Sequence, residues 1–493
     1  MYMSIQQFIE NDIKELEKIF GEVLTGESDI DNFSEEISNR VMQLGRNLQA
    51  NYYEKLDEEL RESVIRKLNY NIEQRNEEKE IMDIMGPVRY KRTGFENKNT
   101  GGYVYLTDMI LGYDPHQKIT LGSAARTLEE AIMSSYSRGG KRASETDEVC
   151  KQTVKKLVHE TEIKMPITVL KNKNKCKYLH IVCDEDHTAA QFWKEKGDLQ
   201  IGENGKKINT IMPKIICVYE DIVNESGEMS KNPRYKLIGK KIFSGVYKGD
   251  VENEVFWKQV WEYIEATYDT DYLERIYIAG DGAAWIKIGV DVLEKSVFVL
   301  DKYHMMVYVN KSVAHLDEDT AEEIKQEIWE SLNEANKENL KEAYRQILEI
   351  PSTEYKEEEI KRAYKYFINN WLGIKIRVED AGGCWGCCAE GQVSHVLSDR
   401  LSSRPMGWSV HGCDQMAKFR AFKWNGGKII DLLKYQKKEQ AKKAHRKEQD
   451  ELIKELKRRH NGWDGGEHLK ATIPGLEQHG MKWMKDFLRG KLG

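Results

Sequence analysis

Apolar residues along this 493-residue chain fall in two patterns, helical spacing and short continuous runs. Over residues 1–85, as in FIENDIKELEKIF and LRESVIRKLNYNIEQ, they return every three or four positions with polar residues between them. That spacing predicts a helical N-terminal domain, ended by the break at Gly86-Pro87. VRYKRTGF, ENKNTGG and YVYLTDMILGY then read as strand, Gly-rich turn and strand, a β-hairpin with a basic edge at Arg89, Lys91 and Arg92. Such an edge can meet phosphate, and it also discourages sheet-to-sheet aggregation. SAARTLEEAIMSSYSRGGKRASETDEVCKQTVKKLVHE follows as two helical segments joined by a turn holding Gly139-Gly140. Residues 86–170 are therefore expected to hold the hairpin and a helix-turn-helix-like DNA-binding region, with Lys151, Gln152, Thr153, Lys155 and Lys156 early in its second helix. An ordinary helical hairpin has the same pattern.

From Lys177 the texture changes to alternating strands and helices: YLHIVCD, KIICVYED, YKLIGKKIF, RIYIAGD and SVFVLDKYH as strands, WKQVWEYIEATY and AAWIKIGVDVL as helices. This predicts a mixed α/β sheet of the ribonuclease-H kind, its first part over 171–310 and its second over 381–435. A charged helical stretch, 311–380, is expected as an all-helical insertion between them, well placed to cover a substrate. Residues 436–493 read as a basic helical tail, with Trp463 and Trp483 in its last segment. The fold class expected is multidomain α+β.

Two of the apolar runs stop abruptly at acids. YLHIVC ends on Asp184 and RIYIAG on Asp281, while a third acid, Glu390, opens the helix-like EGQVSHVLSDRL. Side chains at the carboxyl ends of neighbouring strands meet in one crevice, so acids far apart in sequence can converge. Asp186 competes with Asp184, since in a strand both point to one face, and Glu185 is a further reserve. Asp301 and His304, in VLDKYHMM, end the next strand and are possible auxiliaries. A lone histidine at a strand end is more often a structural hydrogen-bonder, a caution that extends to His187 and His395.

Three converging carboxylates suit Mg²⁺ or Mn²⁺, hard cations that take oxygen ligands. An ion pair about 3.5–4 Å apart activates an oxygen nucleophile and stabilises the leaving oxygen of a phosphodiester. Cys384, Cys387 and Cys388 in CWGCC can be combined on paper with His411 and Cys413, but that spacing lacks a proper second pair and zinc is not expected.

The net charge of −6 hides an asymmetry: residues 1–85 hold 10 Lys/Arg against 20 Asp/Glu, residues 400–493 hold 22 against 11. The basic end suits a polyanion. Arg400, Arg404, Lys418, Arg420 and Lys423 would hold DNA phosphates beside Glu390. Arg404-Pro405 and Trp408 could instead only shape the turn after that helix. No run approaches a membrane span, the N-terminus lacks the marks of an export signal, and eight scattered cysteines form no disulfide framework, so a cytoplasmic protein is expected.

The segments YVYLTDMILGYDPHQKIT, CDEDHTAAQF, YIAGDGAAWIK, FVLDKYH and AEGQVSHVLSDRLSSRPMGWS resemble bacterial insertion-sequence transposases of the Lre-two group, within the Mutator-like DDE superfamily. The likeness runs from about residue 86 to about 435. It implies a ribonuclease-H-like catalytic domain, with Asp184, Asp281 and Glu390 as catalytic and metal-binding triad. Asp301 with His304 would match the Asp/Cys-x-x-His element of that superfamily. It also implies Mg²⁺, recognition of terminal inverted repeats and target DNA, and homo-oligomeric assembly on two DNA ends. Three rivals stand beside it. One is a ribonuclease-H-like nuclease or resolvase that never joins strands, another an inactive transposon-derived DNA-binding protein. The third, a glycosidase with paired carboxylates, is opposed by the basic C-terminal region.

Overall fold

In a computed structural model the protein is described over residues 8–164, 167–192, 200–201, 207–226, 234–380, 389–404, 406–443 and 447–459. It divides into two compact units, one drawn from residues 1–126, 141–148 and 437–493, the other from 127–140 and 149–436. The class is mixed α+β. Among the described residues no helix is long and apolar enough to cross a membrane.

The first unit is built on a long helix, Ile30–Glu62, capped by the Asp29 carboxylate, which accepts from Asn32 N at 2.6 Å. The helical reading of residues 1–85 holds only to Asn69. Tyr70–Asp83 is a strand, paired antiparallel with Gly86–Asn97. Glutamate-rich sequence of this kind favours a helix in isolation. Here tertiary pairing outweighs that preference: Glu77 faces Arg92, Glu80 faces Arg89, and Tyr70 and Ile81 are buried. The expected second strand is a two-residue piece, Tyr103–Val104, followed by the helix Leu106–Leu111. Arg92 is no phosphate-facing edge residue either. It is buried against Asp108 and stacked over the Tyr105 ring.

The basic helix Lys447–Arg459 belongs to this unit. Its Leu452 and Leu456 join a core with Leu60, Phe95 and Leu106, and Glu455 accepts from the backbone N–H of Val64 and Ile65 at 2.9 and 3.0 Å. A carboxylate at these first N–H groups of a helix satisfies donors that have no partner within it. Trp463 and Trp483 lie outside the described residues.

The stretch expected as a helix-turn-helix divides between the units. Gly139 and Gly140 are buried within a short helix, Tyr136–Lys141, and do not form the turn; a Cβ on Gly139 would lie 2.8 Å from Ala131.

The second unit contains a five-stranded sheet: β1 (Tyr178–Glu185), β2 (Lys214–Tyr219), β3 (Lys241–Gly245), β4 (Arg275–Gly280) and β5 (Ser296–Leu300), in the order β3-β2-β1-β4-β5. The first three strands pair antiparallel, while β1–β4 and β4–β5 are parallel. YKLIGKKIF, expected as one strand, is split at Gly239 into Tyr235–Ile238 and β3.

One sheet face, carrying Leu179, Ile181, Ile216, Ile276 and Ile278, packs on α1 (Gly249–Thr267) through Phe256, Trp257, Val260 and Ile264, and on α2 (Ala284–Val292) through Trp285 and Ile286. After β5 come α3 (Lys302–Val313), α4 (Glu318–Asn333), α5 (Lys337–Glu349), α6 (Glu354–Asn369) and α7 (Trp371–Glu379). Charged on their outer faces, α4, α5 and α6 bury Ile328, Leu332, Leu340, Ile347 and Phe367 in a core of their own, shared with Met305 and Val309 of α3. The helical insertion is therefore a packed layer. It returns to the sheet where Gly373 of α7 approaches β5 so closely that a Cβ would lie 2.8 Å from the Phe298 ring.

Candidate active site

Parallel register places the acids. Val182 of β1 lies opposite Ala279 of β4, so two residues further on Asp184 comes beside Asp281; Gly280 lies opposite Leu300, so Asp281 comes beside Asp301. Alternation along the strands puts all three on the sheet face opposite the α1 core. His180 marks that face, stacked between the rings of Tyr219 and Tyr277 at 5.3 and 5.7 Å.

Glu390 arrives from elsewhere in the chain. It sits in the short helix Ala389–Gln392, which lies against β1 and β2, and its charge is felt at Asp184. The helix continues as a π-helical turn, Val393–Ser398. Burial first, then the neighbouring charges of Asp281 and Glu390, push the Asp184 carboxyl up to about 6 against the opposing pull of the Glu185 N–H and His304. Asp281 turns one oxygen back to accept from Ala283 N at 2.8 Å.

Asp301 and His304 stand at this same place. Asp301 caps α3, accepting from the N–H of Tyr303, and its carboxylate is 2.8 Å from His304 Nδ1. Burial opposes ionisation of Asp301, but the imidazole and the helix N–H groups outweigh it and hold the carboxyl below its ordinary range. The bond to Asp301 raises His304 against burial, and the charges of Asp184 and Asp281 add to the effect.

Asp186 stands apart. The strand ends at Glu185, and the buried Asp186 carboxylate accepts one shared hydrogen bond from Ser402 Oγ, which lies 3.0 and 2.9 Å from its two oxygens. Glu185 is closer to the cluster: burial raises its carboxyl, Lys214 lowers it and Asp281 raises it. Lys214 went unnoticed in the sequence. Its ammonium is held by Tyr247 O at 2.9 Å and Asn253 Oδ1 at 2.7 Å, and nothing in KIICVYED marks it as a site residue.

The donor set of three carboxylates, none paired with Lys or Arg among the described residues, has the chemistry of a site for a hard divalent cation. The spacing is wider than one ion needs. Among the described residues no three His, Cys, Asp or Glu side chains are close enough to hold a metal. Cys384, Cys387 and Cys388 lie outside the described residues. Of their suggested partners, His411 is hydrogen-bonded to His159 O at 3.1 Å, and burial first pushes the Cys413 thiol up to about 12.

The residues expected at DNA sort into three kinds. Lys151, Gln152, Lys155 and Lys156 are exposed along the helix Lys151–Glu160, whose Val154 and Val158 are buried, with Lys156 facing Glu160 at 4.0 Å, and Arg404 is exposed. Lys418 and Lys423, on α8 (Val410–Trp424), face Asp414 at 2.7 Å and Glu129 at 3.9 Å. Arg420 and Arg400, expected at a DNA backbone, are 0% and 3% exposed and cannot reach one. Arg420 donates to the carbonyls of His395 and Val396, at 2.5 and 2.6 Å, and to Asp399, bracing the π-helical turn that follows Glu390. Arg400 donates to Ala131 O and lies over the Trp408 ring. Trp408 is buried, with its indole N–H on Leu401 O, and does shape this turn; Pro405 lies outside the described residues.

A family model described as "Uncharacterised protein family (UPF0236)" matches residues 24–439. The chain belongs to the UPF0236 family. UPF0236 proteins of Caldanaerobacter subterraneus subsp. tengcongensis are 34% identical to it over 452 residues. The match spans 91% of this chain and 90% of one such relative. In another, whose name joins eleven designations from that strain, it spans 91% of this chain and 89% of the relative. Among solved structures, the Drosophila P element transposase strand transfer complex is matched over 64% of this chain and 80% of that chain, at 10% identity and a TM-score of 0.21, too low to define a shared fold.

Proposed function

We propose that this UPF0236 protein is a DDE-type transposase of an insertion sequence, with Asp184, Asp281 and Glu390 as its catalytic acids. The observation that carries the reading is the parallel register that brings Asp184 and Asp281 to neighbouring strand ends, within the electrostatic reach of Glu390. The sheet order β3-β2-β1-β4-β5, three strands antiparallel and two parallel, supports reading this unit as a ribonuclease-H-like core. A relative's name that joins eleven designations in one strain is what a gene present in many copies would give, and a self-copying element produces such copies.

Drawn closer together than they stand here, Asp184, Asp281 and Glu390 would hold Mg²⁺, or Mn²⁺ in its place, which when bound supplies nucleophile activation and stabilisation of the leaving oxygen. The chain's own residues do the rest. The bond to Asp301 favours the charged form of His304 close to the acids, which eases their mutual repulsion, while the exposed face of Lys151, Lys155 and Lys156 and Arg404 hold DNA phosphates. Water displaces the 3′ oxygen at the element's end, and the 3′-hydroxyl so released attacks a target phosphodiester, displacing that strand's own 3′ oxygen. Two ends are brought together by an oligomer on terminal inverted repeats.

A plasmid carrying the gene with its natural flanks, incubated with purified protein and Mg²⁺ or Mn²⁺, tests this. Cleavage at the flanks followed by joined product is expected, with both lost in Asp281→Asn and Glu390→Gln. Cleavage without joining would favour a nuclease or resolvase. The open spacing of the acids favours one other reading, an inactive DNA-binding protein, which predicts no cleavage by wild type and DNA binding that survives Asp281→Asn.

A further inference from the structure

The helical insertion does more than cover the sheet: its last long helix ends on the turn that bears Asp281. Asn370, at the end of α6, is 5% exposed. Its Nδ2 donates to Tyr366 O at 2.9 Å, which leaves Oδ1 turned to Gly282, so closely that a Cβ there would lie 2.4 Å from it. Gly282 also has a φ of +92°, so glycine alone suits both the backbone and the contact. Among the described residues, neither the buried Asn370 Oδ1 nor the buried Tyr366 hydroxyl has a hydrogen-bond partner.

Tyr366 is held firmly in this position. Its ring stacks on Tyr308 of α3 at 3.8 Å, and after burial the charges of Asp281, Tyr308 and Asp301 all bear on its phenol. Buried polar groups without partners are rare and call for an explanation. Two of them, one turn apart on one helix, flank the turn of an acid whose cluster is too open for an ion.

We infer that Tyr366 and Asn370 are positioning residues for Asp281: as the acids draw together, the phenol donates to the Asp281 carboxylate and the carboxamide oxygen accepts from the backbone of its turn. This rests on the reading of Asp281 as a catalytic acid. It makes the insertion a part of the site, with its packing coupled to the second acid.

Tyr366→Phe is the informative variant, because it keeps the ring and its stack and deletes only an unpartnered hydroxyl. Its thermal midpoint should match or exceed that of wild type. Calorimetric titration with Mn²⁺ alone should show affinity weakened about 10-fold, and plasmid cleavage should slow by about the same factor through kcat and not KM. Asn370→Ala should weaken Mn²⁺ binding and cleavage likewise, with a lower midpoint because the bond to Tyr366 O goes as well. A wild-type protein that binds Mn²⁺ and cuts DNA, an inactive Asp281→Asn, and a Tyr366→Phe equal to wild type in both measurements would overturn this inference alone. A wild type that neither binds Mn²⁺ nor cuts would overturn the proposed function and this inference with it.

Discussion

The Asp301 carboxylate, 2.8 Å from the imidazole of His304, also caps the helix in whose first turn that histidine lies. His304 is raised, so its share of stability is full below the ordinary histidine value, about 6.5, and fades as pH rises through the higher folded value. Asp301 is lowered, so its share is full above the ordinary carboxylate value, about 4, and is lost as pH falls through the folded value. The pair should therefore stabilise most between about pH 4 and pH 6.5. In His304→Ala, the thermal midpoint measured against pH should lose this maximum; a profile parallel to wild type would show that the pair is not coupled.

Asp184 carries the opposite sign. Its carboxyl, pushed up to about 6 by burial first and by its acidic neighbours, is costly to ionise, so wild type loses stability as pH rises from about 4 to about 6. Asp184→Asn should be about 2 kcal/mol more stable than wild type at neutral pH and equal to it near pH 4, while losing cleavage. Urea unfolding at the two pH values checks it. Equal differences at both would remove the role of crowded charge.

Arg420 is a structural brace. Arg420→Ala strips the carbonyls of His395 and Val396 of a buried donor and should cost about 3 kcal/mol or more in urea unfolding. A DNA contact would behave otherwise, leaving stability alone and reducing the salt dependence of binding.

For the exposed lysines the expectation is reversed. Replacing Lys151, Lys155 and Lys156 together by Ala should lower the slope of log affinity against log salt by about 3 for duplex DNA of any sequence, with stability within about 0.5 kcal/mol of wild type. An unchanged slope would remove that helix from the interface.

The strands at the centre of the second unit were legible in the sequence, because a strand buried on both faces is written as a continuous apolar run and needs no partner to be recognised. RIYIAG and YLHIVC carried their acids with them in the same way. The charged insertion was legible through its helical period. Residues 70–83 were not, since glutamate and lysine favour a helix until a second strand supplies opposite charges and a core for Ile81. Nor could the letters separate Arg420 from Lys155, or Asp186 from Asp184: the same residue types serve surface and interior, and burial alone assigns the role. By itself the sequence determined which segments must be buried and which acids end them, because both follow from local composition. Only the tertiary structure decided which strands lie side by side, which cations face inward, and that Asn370 of the insertion lies against Gly282, because each depends on contacts between residues far apart along the chain.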